Sequence, residues 1–219
     1  MRTRSTEAER AGPAPPERQA LGPPSGVVDL RGGPACAELR CSAGDLVIVS
    51  GLPGSGKSTL MRRVVPALDG AGEVVWCVDS QDSRERLERR TPPRLPYGVY
   101  RPVARALHYA ALRRALRSGA SVVVHDCGER GWVRRWSVRA ARRRGAGVHL
   151  VVLDVGARTA LAGQRARGRG VSAHAFRGHR RAMARLLAGA AAGEVPRGVA
   201  SVVLLSRRTA DGLDRISFG

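Results

Sequence analysis

Nine consecutive residues have the types and spacing that a triphosphate-binding loop requires. They follow the apolar residues 46–49, match the pattern G-x-x-x-x-G-K-S/T with one residue beyond it, and read Gly51, Leu52, Pro53, Gly54, Ser55, Gly56, Lys57, Ser58 and Thr59. Glycine has no Cβ, so the backbone can turn tightly and bring its N–H groups close to phosphate oxygens. A helix that begins near Lys57 adds a positive N-terminal end, Lys57 adds an ammonium for the β and γ oxygens, and Ser58 adds a hydroxyl for Mg²⁺. The pattern predicts binding of a nucleoside triphosphate, and its alternative is a glycine-rich turn without a ligand.

The composition also singles out Lys57. The chain has 38 lysines and arginines, and Lys57 is the one lysine among them. A compact ammonium fits between phosphate oxygens where a planar guanidinium does not. The choice of lysine at this position therefore agrees with a role on the triphosphate.

Two carboxylates follow apolar stretches that are expected to be strands. Asp126 comes after residues 121–125, and we interpret it as a ligand that holds Mg²⁺ directly or through water. Asp79 comes after residues 73–78, and we interpret it as a general base that accepts the proton of an acceptor hydroxyl. Helix capping is the alternative for both, and Ser80 and Asp82 compete with Asp79 for either role.

A basic segment, residues 163–181, is a candidate lid. No acidic residue occurs between Asp154 and Glu194, while Arg165 and Arg169 lie four positions apart beside glycines that allow a hinge. Guanidiniums in a lid can close over a triphosphate and stabilise the charge of the transition state. The alternative is a solvated basic face, and two histidines of the segment are interpreted as surface or packing residues: His174 and His179.

Five apolar strands that alternate with helices must position these groups. The strands are expected at residues 46–49, 73–78, 121–126, 148–155 and 200–205, and the helices at 58–68, 81–90, 103–117, 132–144, 157–167 and 172–187. Strands that are apolar throughout indicate a parallel sheet covered on both faces, an α/β three-layer sandwich. Ligands of such a sheet bind at the carboxyl ends of its strands, which gathers the loop, Asp79 and Asp126 at one edge.

The rest of the chain is expected to be less regular. Residues 1–26 contain five prolines and no apolar period, so we predict a disordered tail before a single domain at 27–219. Residues 27–40 contain two short apolar pieces and are interpreted as an edge hairpin. Residues 91–102 contain four prolines and are predicted to form an irregular loop.

The formal net charge of +20 is compatible with nucleic acid, an anionic membrane or a phosphorylated substrate. The alternative is a coding bias toward arginine, because the excess is spread along the whole chain. The four cysteines form no CxxC pair, and no signal peptide precedes them, so free thiols in a reduced cytoplasm are expected. No apolar run approaches 18 residues, which predicts that no segment spans a membrane.

The residues resemble those of the P-loop kinases of small molecules and polynucleotide ends, which are grouped with AAA-type ATP-binding proteins. Polynucleotide 5′-hydroxyl kinase, chloramphenicol phosphotransferase and zeta toxin are members. The resemblance covers residues 46–187 and rests on four pieces: GLPGSGKST, VDS at 78–80, VVVHD followed by Arg130, and RARGRGVSAHAF at 165–176.

This resemblance implies a P-loop NTPase fold of five parallel strands in the order 2-3-1-4-5, counted from the strand at residue 46. It implies MgATP as the donor, Asp79 as the base, and Arg165 and Arg169 as lid arginines. It also assigns Arg84 and Arg130 to the substrate side with Asp79, although the spacing from Asp79 to Arg84 is looser than in the polynucleotide kinases. This departure weakens the argument for a nucleic-acid substrate.

Two functions remain open at this point. The first is a kinase that transfers the γ-phosphoryl group of ATP to a hydroxyl of a small molecule or nucleic-acid end. The second is an ATPase or nucleotide-gated module that acts with a protein or nucleic-acid partner, although no LSGGQ-like signature of a transporter ATPase occurs. Tyr97, Tyr100 and His108 are expected near the acceptor, but nothing in their spacing selects one.

Overall fold

A computed structural model describes residues 20–34, 36–90, 97–126, 131–166 and 170–219 of the chain, and the side chains of residues 97 and 98 are excepted. The described strands are β1 (Ala20–Leu21), β2 (Gly26–Asp29), β3 (Glu38–Cys41), β4 (Leu46–Gly51), β5 (Trp76–Val78), β6 (Val122–Asp126), β7 (Val148–Leu153), β8 (Ser201–Leu205) and β9 (Arg215–Phe218). The described helices are α1 (Lys57–Val64), α2 (Ser80–Glu88), α3 (Tyr97–Arg117), α4 (Gly131–Arg142), α5 (Ala157–Ala166), α6 (Ala173–Ala191) and α7 (Arg207–Asp211).

The central sheet has six parallel strands in the order β2-β8-β7-β4-β6-β5. The prediction of five strands is therefore wrong in number, although the five expected strands keep the neighbours that the order 2-3-1-4-5 requires. The sixth strand, β2, pairs with β8 from Gly26↔Ser201 to Asp29↔Leu204. It satisfies backbone groups of β8 that would otherwise form an open edge.

The predicted hairpin at residues 27–40 is also wrong. Its first apolar piece is β2 of the central sheet, and its second is β3 of a separate three-stranded parallel sheet in the order β1-β3-β9. Each piece thus pairs with a strand near the far end of the chain. Pairing over such a separation leaves no local pattern, so sequence reasoning chose the nearer partner.

Both faces of the central sheet carry a hydrophobic core, because successive side chains of a strand point to opposite faces. Leu46 and Ile48 of β4 pack into a core with residues of α3, α4 and α6. Val47 and Val49 pack into a second core with α1, β3 and β9. The expected layer of helices is thus present on one face, while the other is covered by α1, α7 and the small sheet.

Three other predicted segments differ from the structure. Residues 97–102, expected in a loop, are the start of α3; Pro102 lies early in this helix and removes only one intrahelical hydrogen bond there. Residues 20, 21 and 26, expected in the tail, belong to β1 and β2, whereas residues 1–19 lie outside the described residues. The C-terminal α7 and β9 were not predicted at all. No helix of the described part is long and apolar enough to cross a membrane.

Candidate functional site

The glycine-rich loop joins the carboxyl end of β4 to the first residue of α1. Gly54 and Gly56 have φ angles of 85° and 101°, a region that residues with a Cβ rarely adopt. The Lys57 ammonium is buried and donates hydrogen bonds to the carbonyl oxygens of Gly51 (2.8 Å) and Leu52 (2.7 Å). The cation is therefore held within the loop, and Ser58 is buried beside it at the start of α1.

Helix α5 packs directly against this loop. A Cβ at Gly54 would overlap the carbonyl oxygen of Ala160, and a Cβ at Gly163 would overlap the carbonyl oxygen of Gly54. The buried Gln164 donates from Nε2 to Pro53 O (3.0 Å) and accepts from the backbone N–H of Val171 (2.9 Å). Gln164 thus connects the loop to the residues that precede α6. The sequence-based prediction did not include Gln164. The signal that could have found it is that an uncharged polar residue stands in an arginine-rich segment.

Asp79 lies between β5 and α2 and is 4% exposed. Its Oδ1 accepts a hydrogen bond from the backbone N–H of Gln81 (2.9 Å), so the capping alternative raised from the sequence is real. Its Oδ2 is buried and has no hydrogen-bond partner in the part of the chain that the structure describes. Capping therefore accounts for one oxygen of Asp79 and leaves the other without a hydrogen bond among the described residues.

His125 connects Asp79 to the neighbouring strand β6. Its Nδ1 lies 2.7 Å from Ser80 Oγ and 3.4 Å from Asp79 Oδ1. Burial, reinforced by the nearby Lys57 charge, lowers the pKa of His125 well below its usual range. The imidazole is therefore neutral near pH 7. It directly precedes Asp126, and the sequence analysis assigned it no role.

Asp126 ends β6 and is paired with Arg134 of α4. Asp126 Oδ2 accepts hydrogen bonds from Arg134 Nε (3.1 Å) and Nη2 (2.8 Å), and Asp126 stands opposite Ser50 in the register of β4 and β6. Sequence reasoning missed Arg134, because nothing distinguishes it from the other arginines around it.

The residues around Asp126 fit a magnesium ion carried by a triphosphate. Ser50 Oγ is buried and has no partner among the described residues, and the Ser58 hydroxyl is at the start of α1. Mg²⁺ prefers oxygen ligands and keeps few protein contacts when phosphates supply the others. Two hydroxyls and one carboxylate are such a set, although Arg134 already neutralises part of the Asp126 charge.

A cavity of about 220 Å³ opens beside these groups. Much of its apolar wall is formed by Ile48, Leu112, Val124 and Val133. Its polar lining includes Ser80, which begins α2, and His125 and Asp126, which end β6. His108 also lines it; its Nδ1 is buried without a partner in the described residues, and burial lowers its pKa. The cavity therefore offers an apolar wall and an unused hydrogen-bonding group next to the phosphate loop.

Several residues singled out in the sequence lie elsewhere. Arg84 donates to Glu88 (2.6 Å) on α2, Asp82 is half-buried and pairs with Arg62 (3.3 Å), and Tyr100 donates to Glu88 (3.2 Å). None of these three lines the cavity, whereas His179 does and His174 is exposed. Arg165 is exposed in the last turn of α5. Arg130 and Arg169 lie outside the described residues.

Comparison with known proteins gives a family match and a number of similar solved structures, of which two are described here. The family model described as an AAA domain matches residues 46–192. A search of curated proteins finds no match. A structure from the PezAT chromosomal toxin-antitoxin system of Streptococcus pneumoniae aligns with 57% of the chain at 14% identity and a TM-score of 0.44. The alignment covers 52% of that structure, so the chain spans about half its length.

The second structure is a Chloroflexus aurantiacus protein provisionally described as a kinase. It aligns with 74% of the chain and 87% of its own length, at 15% identity and a TM-score of 0.50. At this identity the likeness is one of fold. The chain thus shares an α/β fold with this protein.

Proposed function

Because the chain belongs to the AAA domain family of P-loop proteins, we propose that it is a kinase that transfers the γ-phosphoryl group of MgATP to an acceptor hydroxyl. The observation that carries the proposal is Asp79, whose second carboxylate oxygen is buried, unpartnered within the described residues, and next to cavity-lining His125. The apolar cavity that His125 lines supports an organic acceptor, because an enzyme that activates only water does not require apolar space at its site.

Each residue then has a defined part in the transfer. The acceptor enters the cavity with its hydroxyl toward Asp79, and the hydroxyl oxygen bonds to the γ-phosphorus as the bond to the β–γ bridging oxygen breaks. Asp79 Oδ2 takes the hydroxyl proton, and ADP leaves with the bridging oxygen. His125, neutral and hydrogen-bonded to Ser80, helps to fix the position of Asp79.

Positive charge must meet the oxygens of the transferring group. Lys57 exchanges its loop carbonyls for β and γ oxygens, and Arg165 with Arg169 would close over the phosphates from the lid. Mg²⁺ held through Ser58 and Asp126 would neutralise charge on the same oxygens. Arg84 and Arg130 remain assigned to the substrate only by resemblance, and the Glu88 contact of Arg84 gives that assignment no support.

Labelled ATP tests the proposal directly. The protein is incubated with γ-labelled ATP, Mg²⁺ and a panel of hydroxyl acceptors that includes small molecules and 5′-hydroxyl oligonucleotides. We expect label on an acceptor, and we expect Asp79→Asn to lower transfer at least 100-fold, the size of a lost general base, while ATP affinity changes little. Asp82→Asn, three residues away at a half-buried position outside the cavity lining, is the matched control and should transfer normally. Equal transfer by the two variants would remove Asp79 from the base role.

The alternative is an ATPase or nucleotide-gated module that acts with a nucleic-acid or protein partner. The net charge of +20 favours it. Label that appears only as free phosphate across the panel would support this function. Oligonucleotide binding that falls steeply with salt and needs no 5′ end would indicate attraction by charge alone.

A further inference from the structure

Arg207 lies against the phosphate loop, although 150 residues separate it from Lys57 in the chain. It is the first residue of α7, which follows β8, and its Nη1 lies 2.8 Å from the point that a Cβ at Gly56 would occupy. Gly56 is the loop residue immediately before Lys57. Neither the sequence nor the comparisons assign Arg207 to a site.

The backbone that carries Arg207 is held in place by hydrogen bonds within α7 and by hydrogen bonds from α1. Ser206 and Thr209 form a capping box at the start of α7, with Thr209 N–H donating to Ser206 Oγ at 3.2 Å. Arg63 of α1 donates to the carbonyl oxygens of Ala210 (2.5 Å) and Leu213 (2.7 Å). Helix α1, which follows the phosphate loop, is thus hydrogen-bonded to the segment that carries Arg207.

Among the described residues, no partner of the Arg207 guanidinium explains its position. Its side chain is exposed, and within the described residues it makes no hydrogen bond or ion pair, even with Asp211 one turn along α7. The N-terminal end of α1 lies beside it, because Gly56 is the N-cap of this helix. A guanidinium next to the positive end of a helix favours the binding of an anion there.

The order of the strands indicates which part of a nucleotide this anion is. Asp79 and Asp126 follow β5 and β6, on one side of β4, and Arg207 follows β8, on the other side. The transferred phosphoryl group must face the two carboxylates. The opposite side of the loop is therefore available to the α-phosphate and the nucleoside attached to it.

We propose that Arg207 binds the α-phosphate of the nucleotide and contributes to the affinity for the donor. The proposal rests on the nucleotide-binding function proposed above. A guanidinium suits this task because it offers several N–H donors in a fixed plane to phosphate oxygens.

Calorimetric titration of four proteins with ATP and with ADP tests this assignment: the unmodified protein, Arg207→Ala, Arg207→Lys and Arg208→Ala. Arg208 is the matched control, since it is the next residue, is exposed, and is near no loop glycine. We expect Arg207→Ala to raise the Kd of ATP and of ADP by the same factor, roughly tenfold or more. Arg208→Ala should leave both within about twofold, and Arg207→Lys should fall between because it keeps the charge and loses the planar fork.

The outcomes separate the two proposals. If the unmodified protein binds neither nucleotide, the proposed function fails. If it binds both and Arg207→Ala binds as well as Arg208→Ala, only the assignment of Arg207 fails. A loss for ATP without a loss for ADP would also overturn it, because the contact would then be with the γ-phosphate. Equal melting temperatures of the two alanine variants show that both are folded.

Discussion

At the scale of single residues, the close approach of Gly163 and Gly54 positions the phosphate loop. The two backbones meet where α5 crosses the loop, and neither position has room for a methyl group. Gly178 on α6 has open space where its Cβ would lie. The same substitution at the two positions should therefore have opposite effects.

We predict that Gly163→Ala lowers the free energy of unfolding by about 1–3 kcal/mol, because the added methyl group pushes α5 off the loop. ATP affinity should fall with it, since Gln164 would no longer hold Pro53. Gly178→Ala should instead stabilise the protein by up to about 1 kcal/mol, because alanine is the better helix former. Urea unfolding and ATP titration of both variants measure these effects. Equal stability of the two variants would show that the backbone contact between Gly163 and Gly54 can adjust to a methyl group without loss of stability.

Asp79 illustrates how one residue can satisfy two interpretations of the same pattern. An aspartate at a strand end before a helix is typical of an N-cap, and its Oδ1 does cap α2. Burial of the unused Oδ2 appears only when α2 and β6 have packed around it. The sequence could pose this choice but could not resolve it.

At the scale of elements, a buried polar network ties the amino ends of three strands together, at the edge opposite the phosphate loop. Asp45 accepts from the backbone N–H groups of Gly147 (2.7 Å) and Ser42 (2.9 Å), and its Oδ2 lies 3.1 Å from His149 Nε2. His149 Nδ1 lies 2.9 Å from Ser201 Oγ. The order Asp-His-Ser resembles a hydrolytic triad, but Ser201 is 0% exposed and cannot reach a substrate. The network therefore holds β4, β7 and β8 in register.

The network predicts a loss of stability in acid. Burial raises the pKa of Asp45, but the hydrogen bond with His149 and the two backbone N–H groups outweigh it and leave the pKa below its usual value of 3.8. A carboxylate with a lowered folded-state pKa stabilises the fold above its unfolded pKa, and this contribution is lost as pH falls through the folded pKa. We expect the free energy of unfolding to fall below about pH 4 for this reason.

Asp45→Asn should remove much of this pH dependence. It should also cost about 1–3 kcal/mol at pH 7, because a neutral amide accepts from two backbone amides and a histidine less strongly. Asp211→Asn, at an exposed position, is the control and should keep the acid response. Chemical unfolding at a series of pH values measures both. An unchanged acid slope in Asp45→Asn would contradict the assigned cause.

At the scale of the whole molecule, β9 near the carboxyl end of the sequence pairs with β3, and both pack in the core that contains α1. Leu213, Ile216 and Phe218 are each at most 1% exposed in this core. Arg63 fastens the same segment to α1 through the carbonyl oxygens of Ala210 and Leu213. The C-terminal residues thus support the wall of the nucleotide site.

Replacing Leu213 with alanine should cost about 2–5 kcal/mol, because the cavity left in this core cannot collapse fully. Leu68→Ala is the same change at a side chain that is 53% exposed, and it should alter stability by no more than about 0.5 kcal/mol. Thermal unfolding compares the two variants. Similar melting temperatures would show that the C-terminal segment is not part of the cooperative fold.

The sequence by itself determined the phosphate loop, its flanking strand and helix, and the five strands whose carboxyl ends collect Asp79 and Asp126. These features follow from local patterns, since a buried parallel strand is apolar throughout and a phosphate loop has a fixed order of glycines. The AAA domain match over residues 46–192 agrees with the prediction of a phosphate loop and its α/β domain.

Only the tertiary structure decided the sixth strand, the small sheet, and the contacts of Gln164, Arg134 and Arg207. Each of these depends on groups far apart in the chain, such as β2 with β8 and Arg207 with Gly56. Arginine supplies all but one of the 38 basic side chains, so composition could not distinguish those that meet a functional group from those that meet solvent. Packing makes that distinction, because it alone sets which guanidinium lies next to a carboxylate or a phosphate loop.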